Sequence, residues 1–390
     1  MKKVICVLMA VALLAVFAAG CKKDSGAVTL EVYNWGEYIS PGTDGSLDVI
    51  AEFEKLTGVK VHYTNFASNE EMYTKIKEGG AQYDVVIPSD YIIGRMIEEQ
   101  MLEKLNFGNI PNYTLIGEQY RNLEYDPLNQ YSVPYMSGVV GIIYNTKKIN
   151  KDITSWDALW DITLTNQILM FDNPRDAFGI ALLKLGYSVN TTNPDQIAEA
   201  AQALKDQKGL VQAYVMDQIF NKMESNEAAI APYYAGDAIT MMRENPDLKF
   251  VIPDEGTNYF VDAMVIPKGT QHKAEAEAFI NFMCSVEISA ANANYIGYST
   301  PVIAARELLD LSDDEMAIAY PSEEIMAKTQ IFTHLPQSTN ELISRYWNEI
   351  KTKQGGGASA WFFLIPLFAV IGGAVVVIVL RARARKRKYY

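Results

Sequence analysis

The sequence predicts an α/β body with mainly parallel sheets, led in by an export signal and followed by one membrane-spanning helix. Three observations carry this reading. Strand-like and helix-like segments alternate through residues 28–215, a basic then apolar start runs into a cysteine, and twenty residues near the C-terminus carry no charge.

The chain of 390 residues opens MKKVICVLMAVALLAVFAAGCKKDSG. Lys2 and Lys3 form a basic start, Val4 to Phe17 an apolar run, and Ala18, Ala19 and Gly20 a small-residue site before Cys21. That pattern is a signal peptide over residues 1–20. The small residues before Cys21 resemble a bacterial lipobox, although Ala18 stands where Leu is more usual. By that resemblance Cys21 becomes the lipidated N-terminus of the mature protein, with residues 21–28 as its linker.

Along the body, Val28 to Tyr33 reads as a strand. Leu47 to Leu56 reads as a helix ended by Gly58, with Leu47, Ile50, Ala51 and Leu56 turned inward. Val59, Val61 and Tyr63 alternate as a second strand. Asn69 can cap a helix through Lys77, stopped at Gly79-Gly80. Tyr83 to Ile87 is a buried strand cut off by Pro88, and the alternation continues with Ile168–Phe171, Arg175–Leu185, Pro194–Lys205 and Leu210–Val215. In such sheets ligands bind beyond the carboxyl ends of the strands. Polar loops stand there: Glu37 after the first strand, PSDY (Pro88 to Tyr91) after YDVVI, and DNPRD (Asp172 to Asp176) after ILMF.

At the far end, Gln354 to Ser359 is a Gly-rich linker, within a linking segment of residues 354–360. Trp361 to Leu380 is long enough to span a bilayer, and Arg381, Arg383, Arg385, Lys386, Arg387 and Lys388 follow at once. Positive charge stays in the cytoplasm, so residues 381–390 are predicted inside and the body outside.

The net charge is −13, and without the signal and tail, 26 basic residues face 47 acidic ones. That balance argues against a nucleic-acid partner and is compatible with a cationic ligand. Of three cysteines, Cys6 leaves with the signal, Cys21 is expected to carry lipid, and Cys284 is alone, so no internal disulfide is expected. The remaining body of about 330 residues is large enough for two domains.

The loop VYNWGEYISPG sets Tyr33, Trp35 and Tyr38 around Glu37. It is either a packing corner or one end of a site for an organic cation, since ring faces and carboxylates both attract ammonium groups. In NYFVDAMVIPKG, Phe260, Asp262 and Met264 share one strand face. A carboxylate there needs a partner, either a distant base such as Arg95 or Arg175, or a cationic ligand lying on Phe260. His62, His272 and His334 fit no zinc spacing or triad signature, and no phosphate loop is present, so neither a metal, a cofactor nor an enzyme is expected.

Several stretches, in order and spacing, resemble the bacterial spermidine/putrescine-binding proteins, the substrate-binding lipoproteins of polyamine ABC importers. They are YNWGEYISPG, SNEEMYTKIKEGGAQYDVVIPSDY, YSVPYMSGVVGIIYNT, TSWDALW, ALLKLGYSVNTT, VDAMVIPKG and NYIGYSTP. The resemblance runs from about Thr29 to Lys351. It implies a two-lobed periplasmic-binding-protein fold of type II, with residues 29–136 and 262–306 in one lobe and 137–261 and 307–353 in the other. Crossovers fall near Ser137 and Val261, and the ligand sits in the cleft between lobes.

The resemblance further implies a ligand set. Trp35, Glu37 and Tyr38 match the family's first site loop, and Ser89 and Tyr91 its second. Asp176 matches a carboxylate for a terminal amine, Asp262 the central acid, and Tyr298 a further ring contact. Asn173 stands where spermidine binders often carry another acid. Tyr234 and Phe260 stand where Trp is common, Ser137 also replaces a Trp, and Gly36 replaces a hydroxyl residue. Near Phe332 and Thr333 the match loosens. The implied function is extracytoplasmic capture of a polyamine by a monomer and its delivery to ABC permease subunits, at the outer face of the cell membrane. The rivals are a binder of another small solute, such as a sugar, on the same fold, and an extracytoplasmic hydrolase using paired carboxylates.

Overall fold

A computed structural model describes residues 28–79 and 82–352. The signal peptide, Cys21, the 354–360 linker, the 361–380 segment and the basic tail lie outside them. Among the described residues no helix is long and apolar enough to cross a membrane.

The strands are β1 (Thr29–Trp35), β2 (Lys60–Phe66), β3 (Val85–Val86), β4 (Ser132–Asn145), β5 (Ile168–Phe171), β6 (Val211–Val215), β7 (Ile230–Tyr234), β8 (Leu248–Val251), β9 (Thr257–Val265) and β10 (Thr329–Ile331). Their order is β2-β1-β3-β9-β4-β7-β5-β6, with β10 added to β9 and β8 to β4. Within each end of this array the pairing is parallel: β1 with β2 and β3, and β5 with β6 and β7. The middle is antiparallel, because β4 pairs with β9, β7 and β8 in that sense. The architecture is therefore mixed rather than mainly parallel. Helix–strand alternation reveals crossover units, but it cannot reveal two long strands that run back against each other.

β4 joins the two ends. Its first part, from Ser132 to Val139, pairs with Val265 to Tyr259 of β9, and from Val140 onward it pairs with β7. All of β4 is buried, which explains why its sequence reads as a continuous apolar run without alternation.

The first strand group is packed on both faces. Leu30 and Val32 of β1 share an apolar cluster with Val49, Phe53 and Phe279, while Tyr33 belongs to a second cluster with Phe66 and Met72. Tyr33 stacks on Tyr83 with ring centroids 4.2 Å apart.

Two local readings need correction. The helix Val49–Thr57 buries Val49 and Phe53, whereas Leu47 and Leu56 are 38% and 54% exposed. Asp48 caps it by accepting a hydrogen bond from the Ala51 amide, so the helix begins after Leu47 and its buried stripe is the i, i+4 pair 49/53. Likewise Ser68, not Asn69, caps the helix Asn69–Lys77. Asn69 is buried instead, and its side chain donates to the Tyr91 hydroxyl at 3.1 Å and accepts from the Ser89 amide at 3.2 Å.

The corrected helix face is directly testable by urea unfolding. Phe53→Ala, which empties a site against Phe279, is expected to cost about 3–5 kcal/mol. Leu56→Ala, which the sequence reading would have placed in the core, should stay within about 0.5 kcal/mol. Equal costs would return Leu56 to the core.

Candidate ligand-binding site

The carboxyl ends of the parallel strands from both groups converge on one cavity. Trp35 ends β1, Ser89, Asp90 and Tyr91 follow β3, Asn173 and Asp176 follow β5, Met216 and Asp217 follow β6, and Tyr234 ends β7. Asn258, Phe260 and Asp262 reach it from alternate positions of β9, Phe332 from just beyond β10, and Tyr298 from the loop after the helix Val286–Ile296. The cavity, a slot where strands of both groups converge, encloses about 630 Å³ including its mouth.

Ten of the eleven residues expected to bind ligand line this slot: Trp35, Tyr38, Ser89, Tyr91, Asn173, Asp176, Tyr234, Phe260, Asp262 and Tyr298. Glu37 does not. It is exposed and holds a left-handed backbone with φ 46°, while its neighbour Gly36 takes the place on the wall. A Cβ at Gly36 would lie 2.5 Å from Asp217 Oδ2, so the glycine lets the loop after β1 meet the loop after β6. Ser137, replaced relative to the family pattern, is off the wall and shares a 2.7 Å hydroxyl contact with Ser299.

The rings form a row at edge-to-face angles. Tyr234 to Phe260 is 5.5 Å between centroids, Phe260 to Tyr298 is 6.1 Å, and Tyr298 to Tyr38 is 5.1 Å. Three of these tyrosines each donate a hydroxyl to a carboxylate: Tyr38 to Asp262 at 2.7 Å, Tyr234 to Asp176 at 2.9 Å, and Tyr298 to Asp237 at 2.9 Å. Backbone holds the first ring in place, since Tyr135 donates its hydroxyl, and Asn34 its amide, to the Tyr38 carbonyl.

Five wall residues are acids (Asp90, Asp176, Asp217, Asp237 and Asp262), and the wall includes no Lys or Arg. Asp90 is satisfied by the backbone amides of Tyr91 and Val261. Asp262 is not, because its Oδ1 is buried without a hydrogen-bond partner. Burial pushes its carboxyl up to about 6, with the Ser89 and Tyr38 side chains pulling back. Burial likewise pushes Asp176 up to about 7. Asp237, half-buried by exposed area yet set deep among protein atoms, is pushed up to about 8, again chiefly by desolvation.

Neither base considered as a partner for Asp262 takes that place. Arg95 pairs with Glu99 at 3.0 Å. Arg175 is buried behind the wall, where it donates to the Val189 carbonyl and Asn190 Oδ1 and lies 4.1 Å from the Phe332 ring centre. Two further orphan atoms belong to wall residues, the acceptor Asn258 Oδ1 and the donor Trp35 Nε1. An array of acceptors among ring faces can hold an ammonium group and exclude an anion.

Sequence reasoning missed Asn69, Asp90, Met216, Asp217, Tyr233, Asp237 and Asn258. Asn258 was within reach, since it shares the strand face of Phe260 and Asp262. Asp217 and Asp237 follow β6 and β7, where the strand-end rule would have pointed.

The sequence profile of the bacterial extracellular solute-binding proteins matches residues 82–329. The spermidine/putrescine-binding periplasmic protein of Salmonella typhimurium is 36% identical over 303 residues, covering 77% of this chain and 85% of that protein. A solved structure of a Listeria monocytogenes protein described as a putative spermidine/putrescine ABC transporter is 39% identical with a TM-score of 0.80, over 84% of this chain and all of that one. The spermidine/putrescine ABC transporter substrate-binding protein of Streptococcus pneumoniae is 37% identical with a TM-score of 0.70, over 83% of this chain and 99% of that one. A two-group α/β array closing on one slot, matched along most of its length by these proteins, makes the chain a member of the bacterial extracellular solute-binding protein family.

Proposed function

We propose that the chain captures a polyamine outside the cytoplasm and delivers it to an ABC importer, returning it chemically unchanged. The observation that carries this is the acidic, ring-walled slot with no basic residue on its wall. In this reading Trp35, Tyr38, Tyr234, Phe260 and Tyr298 box the methylene chain, Asp176 and Asp262 take amines, and Ser89, Tyr91 and Asn173 supply polar edges. The names of the relatives support the ligand class. Glu37, beside the mouth, is a long-range attraction rather than a grip.

The two lobes (residues 29–136 with 262–306, and 137–261 with 307–353) would close about β4 and β9. A lipid on Cys21 and a spanning helix over residues 361–380 would tether the body twice to the outer face of the membrane. One acyl chain holds a protein only marginally, whereas a spanning helix is effectively permanent.

Calorimetry of the detergent-solubilised protein against spermidine and putrescine tests the ligand class. Asp262→Asn leaves an ammonium poorly paired, a loss of about 2–5 kcal/mol. It should weaken binding about 30-fold or more; unchanged affinity removes Asp262 from the site. Trp35→Leu keeps apolar bulk and deletes the ring field, at a smaller cost of about 0.5–2 kcal/mol. A neutral diol of putrescine's length should not bind, and equal binding of diol and diamine would indicate a purely apolar slot. For the tether, Cys21→Ser should stay with the membrane through an alkaline carbonate wash, and its release would show that residues 361–380 do not span.

A further inference from the structure

Three carboxylates in the slot, Asp176, Asp237 and Asp262, each accept a hydrogen bond from a neutral tyrosine hydroxyl, with the Ser89 side chain also acting on Asp262, and none of them is paired with a cation. A buried carboxylate in that position is held in check by protonation until a true cation arrives. Resting on the polyamine reading of this slot, we propose that ligand binding is an exchange: the empty slot stores protons on its carboxyls, and a polyamine entering it expels them to solvent.

The balance is simple. The ligand arrives with its N–H bonds already made. The carboxyl O–H bond breaks, its proton goes to water or buffer, and the carboxylate oxygen accepts a hydrogen bond from the ammonium.

The surroundings of each group favour this. Asp262, on β9, faces Tyr38 from the loop after β1 and Ser89 and Asp90 from the segment after β3. It adds its charge to those felt by both Asp176 and Asp237. Asp237, at the start of the helix Ala235–Glu244, also feels Glu37 and Asp217 from the two loops that meet at Gly36. Asp176, at the start of the helix Pro174–Lys184, feels Glu70 behind Tyr91. The nearest cation is Arg175, whose Nη groups are committed to Val189, Asn190 and Thr333. Acids therefore meet acids from every side, with one screened guanidinium at one end. Burial raises Asp176 to about 7 and Asp237 to about 8, so in the empty slot at about pH 7 Asp237 is mostly protonated and Asp176 about half so.

The test is titration of the full-length protein, in detergent at pH 7, with spermidine in phosphate and in Tris, buffers of very different ionisation heat. The expected result is an enthalpy difference equal to the release of about one proton per ligand, with Kd rising about a hundredfold from pH 8 to pH 6, about tenfold per pH unit. Asp237→Asn should lose the larger part of the buffer-dependent heat. Binding with the same enthalpy in both buffers overturns the exchange and leaves the polyamine reading intact; no binding of any polyamine overturns both.

A ligand-free measurement guards against a variant that binds poorly. Because these carboxyls hold protons more tightly folded than unfolded, the empty protein loses stability as pH rises through their folded pKa values. Asp237→Asn removes that loss at one site, so it should raise the unfolding midpoint far more at pH 9 than at pH 5. A midpoint that shifts equally at both pH values shows that Asp237 carries no stored proton.

Discussion

Ionisation of a carboxylate in a dry slot is unfavourable until a cation shares the space, and the rest of this site follows from that constraint. Tyr38, Tyr234 and Tyr298 each give one hydroxyl to an acid, which lowers the cost of burying it without neutralising it. A lysine in the wall would have stabilised the empty slot and competed with any cationic ligand. Its absence keeps the acids available, and Asp262 Oδ1 and Asn258 Oδ1 remain as open acceptors. The same tyrosines supply the ring faces, so the side chains that soften the burial of the acids also form the apolar walls.

Such a slot works only if the loops bearing its groups are held in register. Asn69 ties Tyr91 to the Ser89 amide, and Tyr135 and Asn34 pin the Tyr38 carbonyl. Close approach matters as much. At Gly236 a Cβ would lie 1.9 Å from Tyr298 Cδ2, and at Gly138 it would lie 2.9 Å from Phe260 Cζ, so both rings depend on a bare backbone beneath them. A larger residue at Gly236 would move Tyr298 and the hydroxyl it gives to Asp237, and one at Gly138 would move Phe260.

Much of this was legible before any coordinates. Strand periods and turn residues place the loops after β1, β3 and β5, and chemistry singles out their acids and rings. Family resemblance supplied Tyr234 and Tyr298. Legibility failed where position depends on distant packing. The phase of the helix Val49–Thr57 is decided by Phe279, more than two hundred residues later. The choice of Gly36 over Glu37 depends on Asp217, and the antiparallel middle of the sheet depends on β9 returning to β4. Asp237 is a first-turn helix acid, and its contact with Tyr298, some sixty residues later, has no local sequence signal.

The sharing of β4 between two strand groups also bears on how the chain reaches its folded state. The partners of its later half, β7 and β8, lie between residues 230 and 251, in one uninterrupted stretch. The partner of its earlier half, β9, comes after that stretch, and β3 as well waits for Val265. A chain emerging from its N-terminus therefore makes β1, β2 and β3 first but cannot complete the sheet they belong to. The second strand group also waits, because the helix Gln337–Thr352 packs on the helix Pro194–Gln207, so neither group is completed by local contacts alone. The aromatic-rich first segment therefore keeps an open sheet edge at β3 until Val265 is available to close it.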